Sequence, residues 1–203
     1  LENEAFQESF VGAITPFLVQ NTGLLSNPPH EENFHQVLKW LLALTSIQSD
    51  TVFNSIVEFW RNFLRKIFID SRSSQSTISP FYAELFANLR RTLIGKMPNP
   101  IIERVIIDHD EREHIISFNN STFGSLFSVA RECLVFLTNF GEEDMLAAIN
   151  ECYQRLQENE LNREQLSSLC WATGAVAGAL KPEVEAELFP VIMQYLFAFN
   201  NSM

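Results

Sequence analysis

Apolar residues recur at helical spacing through almost the whole chain, and this pattern leaves little room for anything but packed helices. Phe6, Phe10, Ile14, Phe17 and Leu18 follow the i, i+3, i+4 rule over 3–20, where Pro16 should kink or split the end. Residues 24–31, with Asn27-Pro28-Pro29, read as a linker. Further stripes cover 32–47 (Phe34, Val37, Leu38, Leu41) and 51–69 (Val52, Phe53, Ile56, Trp60, Phe63), the second with Asp50 as N-cap. Ser71 to Ser79 is a serine-rich loop. Pro80 then suits the first turn of a helix over 80–96, which Gly95 and Met97-Pro98-Asn99-Pro100 end. Helical runs resume at 123–139, 142–158, 163–180 and 183–200.

Between 96 and 123 the period changes. Ile101 to Ile107 and Glu113 to Phe118 are rich in β-branched residues and flank the charged turn Asp108-His109-Asp110-Glu111-Arg112. The pattern predicts one β-hairpin inside an otherwise helical chain, an acidic loop over 98–121. The last four helices have linkers of only a few residues, which forces antiparallel neighbours. Helix pairs of about 40 residues with weak self-similarity have HEAT or armadillo length. The expected fold is therefore all-α, a HEAT-repeat α-solenoid of about four antiparallel helix pairs with one inserted hairpin. A single compact bundle is the other architecture. Residues 1–203 read as one solenoid unit, and a pattern that begins with Leu1 and stays apolar through Phe199 reads as a piece of a longer protein.

Composition narrows the function classes. Fourteen basic against twenty-five acidic residues give a net charge of −11. Such a surface repels nucleic acid and suits a basic protein partner. Arg61 with Arg65 and Lys66, and Arg90 with Arg91 and Lys96, are the basic clusters, and both read as polar helix faces. No stretch approaches the roughly 20 apolar residues of a membrane helix, and the acidic start lacks the basic opening of a signal peptide. Cys133, Cys152 and Cys170 are odd in number and widely spaced, which fits neither a disulfide framework nor zinc and points to a reducing compartment. The sequons at Asn119 and Asn120 are then unused.

Catalysis finds no foothold. His109 and His114 stand among acidic residues, but a hairpin would hold them apart, so the expectation is a solvated acidic tip and no metal. Glu142-Glu143-Asp144 opens a helix, where carboxylates favour the positive end of the dipole. Cys170 lies on an apolar run as packing. No phosphate-binding, nucleophile-elbow or zinc-protease motif is present. The small residues Ala172, Gly174, Ala175, Ala177, Gly178 and Ala179 suggest a thin helix over 171–180 that lets a neighbour approach closely.

Four segments carry a resemblance. Leu169-Cys170-Trp171-Ala172-Thr173-Gly174-Ala175-Val176-Ala177-Gly178-Ala179-Leu180 resembles the LCWAIGSISGAM segment of the exportin 1 family, nuclear export receptors of the importin-β/karyopherin superfamily. Leu134-Val135-Phe136-Leu137-Thr138-Asn139 is similar to its LVYLTH, Glu58-Phe59-Trp60-Arg61-Asn62 to its EYWNH, and the hairpin falls where the family has its acidic loop. The resemblance implies a HEAT ring that binds Ran-GTP and a leucine-rich nuclear export signal cooperatively. It also implies traffic between nucleus and cytoplasm past the nucleoporins, without cofactor, metal or catalytic residue. It makes Asp108, Asp110, Glu111 and Glu113 the charged tip of a Ran-contacting loop, and places Met193, Phe197 and Asn200 on the cargo-groove wall. Many family members carry a reactive Cys where Asn200 falls, so inhibitors aimed at that thiol should fail here. Pro190 is a further departure, tolerable only in the first turns of its helix. A HEAT scaffold without Ran dependence and an enzyme accessory domain are the competing readings.

Overall fold

The computed structural model describes residues 4–27, 29–47, 49–74, 79–99, 101–107, 113–119, 121–157 and 162–200. Four helices, α1 (Glu4–Leu25), α2 (Glu31–Thr45), α3 (Asp50–Ser74) and α4 (Pro80–Gly95), precede strands β1 (Ile101–Ile107) and β2 (Glu113–Asn119). Four more follow: α5 (Ser121–Phe140), α6 (Glu142–Gln157), α7 (Arg163–Val176) and α8 (Pro182–Asn200). The strands pair antiparallel, from Ile101 opposite Asn119 to Ile107 opposite Glu113.

The helices sort into two layers. α1, α3, α5 and α7 pack in sequence along one layer, and α2, α4, α6 and α8 along the other. Across the layers α2 packs on α3, α4 on α5 and α6 on α7, and α5 on α6 and α4 on α7 join neighbouring pairs, whereas α1 and α2, α3 and α4, and α7 and α8 barely touch among the described residues. This progressive stacking is a HEAT-like α-solenoid, in which each element meets only near neighbours. It is not a bundle closed around one centre. The pairing is also shifted from the expected four pairs: three complete pairs stand between an unpaired α1 and an unpaired α8.

Each apolar stripe supplies the seam between layers. Phe34, Leu38 and Leu41 of α2 face Val52, Ile56, Trp60 and Phe63 of α3, all at most 2% exposed. Trp60 donates its indole N–H to Thr45 Oγ1 at 2.9 Å, so its polar edge is satisfied inside the seam. Further along, Leu89, Leu93, Cys133, Leu134 and Leu137 are fully buried. The Cys133 thiol points at the Val57 carbonyl, 3.7 Å away, and burial pushes its pKa far up, as inert packing requires.

Several local expectations are corrected. Pro16 does not split α1, which runs unbroken from Glu4 to Leu25. Its ring costs about 3 kcal/mol inside a helix, and burial of Val11 and Leu18 on the α3 side offsets it. The cap of α3 is Ser49, whose Oγ accepts from Val52 N at 3.4 Å, while Asp50 lies inside the helix. α7 stops at Val176 rather than 180. Gly178 sits at φ +81, the left-handed conformation that ends helices, and Ala177–Ala179 form a turn. A Cβ on Gly174 would touch nothing within 4 Å, so close approach rests on the buried Ala172 and Ala175 instead.

The second basic cluster is also not one face. Arg91 is exposed and pairs with Glu151 at 3.1 Å, whereas Lys96 is half-buried, its ammonium on the Ile47 carbonyl and 5.2 Å from the Phe53 ring centre. Arg90 is 2% exposed. It stands at i+4 from Phe86 and i−3 from Leu93, on the apolar stripe itself.

Candidate partner-binding surface

The residues with a forecast role fall in two places, the hairpin and the last helix. Asp108, Asp110 and Glu111 lie outside the described residues. Glu113 opens β2, its backbone in register with Ile107. His109 lies outside the described residues as well, and His114 is placed by its backbone alone, opposite Ile106.

α8 is the more informative site. Pro182 and the acidic first turn of Glu183 and Glu185 suit a helix start, the carboxylates facing the positive end of the dipole. One edge of α8 is anchored: Ile192 is buried, Leu188 and Leu196 lean on the core, and Tyr195 stacks on Tyr153 at 5.5 Å. The adjoining face is open. Phe189 is 65% and Phe197 63% exposed, with half-buried Met193 midway between them at i+4 from each. Asn200, i+7 from Met193, is the last residue of the helix, and its side chain lies outside the described residues. The geometry thus puts Met193 and Phe197 on one open apolar stripe. Phe189, which the sequence reading passed over, extends that stripe by a turn, and its i−4 spacing from Met193 was the available signal.

Pro190 lies in the interior of α8, not in its first turns. It lacks an N–H, so the Ala186 carbonyl loses its usual i+4 partner. Ala186 lines a groove of about 420 Å³ with Thr173, Ala177, Leu180, Glu185 and Phe189, where the turn after α7 meets the first half of α8. Two contacts hold that turn. Gly178 N donates to the Glu185 carboxylate, and Lys181 is bound twice by Glu142 at 2.8 Å, through its backbone N–H and its ammonium. The bond from the Lys181 side chain is the main cause holding the Glu142 carboxyl below its usual range. A second apolar hollow, about 430 Å³, lies at the opposite end between α1 and α2, lined by Phe6, Phe10, Trp40 and Ile47.

The remaining candidates for chemistry do not converge. Glu142 binds Lys181 and Asp144 faces Arg90, so the acidic start of α6 braces its neighbours. Cys170 is half-buried and burial raises its thiol pKa, which disfavours a thiolate nucleophile. Among the described residues no cluster of His, Cys, Asp and Glu could hold a metal. No described helix is long and apolar enough to cross a membrane. What the surface offers is an apolar helix face beside carboxylates.

The segment that carries this face is similar to known proteins. Residues 157–203, which take in α7 and α8, match the family model CRM1 / Exportin repeat 3. Exportin-1 of Drosophila melanogaster is 23% identical over 192 residues, covering 89% of this chain and 18% of the relative. Exportin-1 of Dictyostelium discoideum is 26% identical over 179 residues, covering 84% and 16%. Exportin-1 of Schizosaccharomyces pombe is 25% identical over 190 residues, covering 79% and 18%. The chain is similar to these exportins over most of its length. It spans about a sixth of the length of these exportins. The exportin repeat contains Phe189, Met193, Phe197 and Asn200, while the hairpin lies outside it.

Proposed function

We propose that this chain is the part of a nuclear export receptor that carries one wall of the cargo groove and the Ran-contacting loop. The observation that carries the reading is the open Phe189–Met193–Phe197 stripe on α8, inside the matched exportin repeat. Leucine-rich export signals present apolar anchors at helical spacing, and such anchors seat against a stripe of this kind. Met193, Phe197 and Asn200 form the wall. With Asn200 where many exportins have a reactive Cys, thiol-directed inhibitors of export leave this protein untouched.

The loop over 98–121 is the second contact. Asp108, Asp110, Glu111 and Glu113 form its acidic tip and meet basic groups of Ran in its GTP form, with charge complementarity setting orientation and encounter rate. The whole receptor shuttles between nucleus and cytoplasm, engaging nucleoporins as it passes, and needs no cofactor or catalytic residue. The test is capture of the intact protein on an immobilised export-signal peptide, with and without GTP-locked Ran. Ran-dependent capture, lost on charge reversal of the four acidic residues, supports the reading. Capture that is absent, or indifferent to Ran, overturns it in favour of a HEAT scaffold.

A further inference from the structure

Arg90 is the one charged side chain buried among the described residues, and its surroundings are unusual. It projects from α4 into the point where α5 ends and α6 begins. Its Nη2 donates to the Leu137 carbonyl at 2.9 Å, in the last turn of α5. Its Nη1 lies 3.5 Å from Asp144 Oδ2, in the first turn of α6. Its Nε has no partner among the described residues. Between the two helices stands a single residue, Gly141. A Cβ there would fall 2.7 Å from Asp144 Oδ2 and 2.9 Å from Arg90 Nη2, so any larger residue would push the ends of these two side chains aside.

This is a poor way to gain stability. A buried guanidinium with one nitrogen unpaired and a carboxylate partner that is 71% exposed recovers little of its desolvation cost. It is a good way to fix an angle. The planar fork reaches two acceptors on two different helices, one of them at the negative end of the α5 dipole. We infer that Arg90, Gly141 and Asp144 form a locking joint that sets the angle between the hairpin-bearing pair α4/α5 and the pair α6/α7, and through it the position of α8. α8 packs on α6 and is tied to it by Lys181 and Glu142, so a rotation at the joint is passed on to the α8 face. Arg90 is thus a positioning residue. The inference concerns the joint alone and does not depend on what α8 binds.

The test measures geometry rather than stability. Spin labels are placed by Glu84→Cys on α4 and Gln194→Cys on α8, both exposed, with Cys152→Ser and Cys170→Ser; Cys133 is fully buried. Pulsed dipolar distances are then recorded in the intact protein, with any reactive cysteine outside residues 1–203 replaced by Ser. Asp144→Asn, at an exposed position that does not threaten folding, should broaden or shift the distance distribution roughly twofold relative to its original width, as should Gly141→Ala and Arg90→Lys. Arg91→Gln, which removes only the exposed pair with Glu151, should leave it unchanged. An unchanged distribution in Asp144→Asn and Gly141→Ala, with both variants folded, overturns the joint. So does equal broadening in Arg91→Gln. Loss of melting temperature in Arg90→Lys with no change of distance in Asp144→Asn would make Arg90 a packing residue only, and overturns it too.

Discussion

The buried block of α2, α3 and α4 and the outer face of α8 use aromatic residues in opposite ways. Around α2, α3 and α4 the rings interlock: Phe63 lies 6.0 Å from each of Phe34, Trp60 and Tyr82, and Phe59 stacks on Phe63 at 5.7 Å. Around α7 and α8 the seam is made by Ala172, Ala175 and Val176, while Phe189 and Phe197 stand in solvent. Rings that fill a seam hold the layers together. Rings left on the outside of a well-formed helix contribute little to the chain's own stability and are free to meet something else. The same residue type therefore fills a seam in one region and stands open in the other, as Phe6, Phe17 and Trp40 also do on α1 and α2.

The largest test of that contrast is Trp60→Ala. The side chain is fully buried in the seam, so its removal should cost about 3–5 kcal/mol in chemical denaturation. A cost near zero would mean that the aromatic block is not what holds α2 to α3. Thr45→Val asks a narrower question at the same place. It keeps the shape but removes the acceptor of the Trp60 N–H, and should cost about 1–3 kcal/mol, because the buried donor is left unpaired.

A smaller effect comes from His35, also in the aromatic block. Its ring stacks on Phe81 at 3.6 Å and meets Tyr82 edge-on, with Glu31, Glu32 and Lys39 as its charged neighbours. Burial is the largest cause and lowers its pKa below the ordinary 6.5, against the pull of Glu31. The unfolded chain then binds the proton more readily than the folded one. Stability should be full above pH 6.5, fall as pH drops below it, and level off once the folded-state value is passed. Urea midpoints across that range should show the slope, and His35→Phe should remove the part of it that belongs to this ring.

How much of this was legible depended on what the periodicity reports. The stripe Phe34, Leu38, Leu41 named a buried face, and Val52, Ile56, Trp60, Phe63 named the face opposite it, because spacing encodes side-chain direction on a helix. Helix ends were less legible where glycine had two readings. Gly178 could be a small packing residue or a left-handed stop, and the structure makes it the stop, which shortens α7 to Val176. Arg90 was hidden by its charge. Its position relative to Phe86 and Leu93 was on the apolar stripe, yet a basic residue beside Arg91 reads as polar surface, and only the Leu137 carbonyl and Asp144 explain its burial. The site was half legible. Met193 and Phe197 share a face by spacing, but that the face stays open depends on how α8 leans on α6, which no local pattern encodes.

The smallest expected change in stability is the one that sharpens the comparison most. Phe197→Ala removes a ring the size of Phe34 or Phe63 in the α2–α4 block, yet the ring is 63% exposed, so folding should shift by no more than about 0.5 kcal/mol. Phe189→Ala should behave alike, and the double variant should be additive, since the rings stand two turns apart on one helix face. Capture by an export-signal peptide, in contrast, should fall steeply in Phe197→Ala and in the double variant, as at an interface where one apolar anchor dominates. If unfolding moves as far as it does for Trp60→Ala while capture is unchanged, α8 is another seam of the scaffold, and the contrast between the two regions disappears.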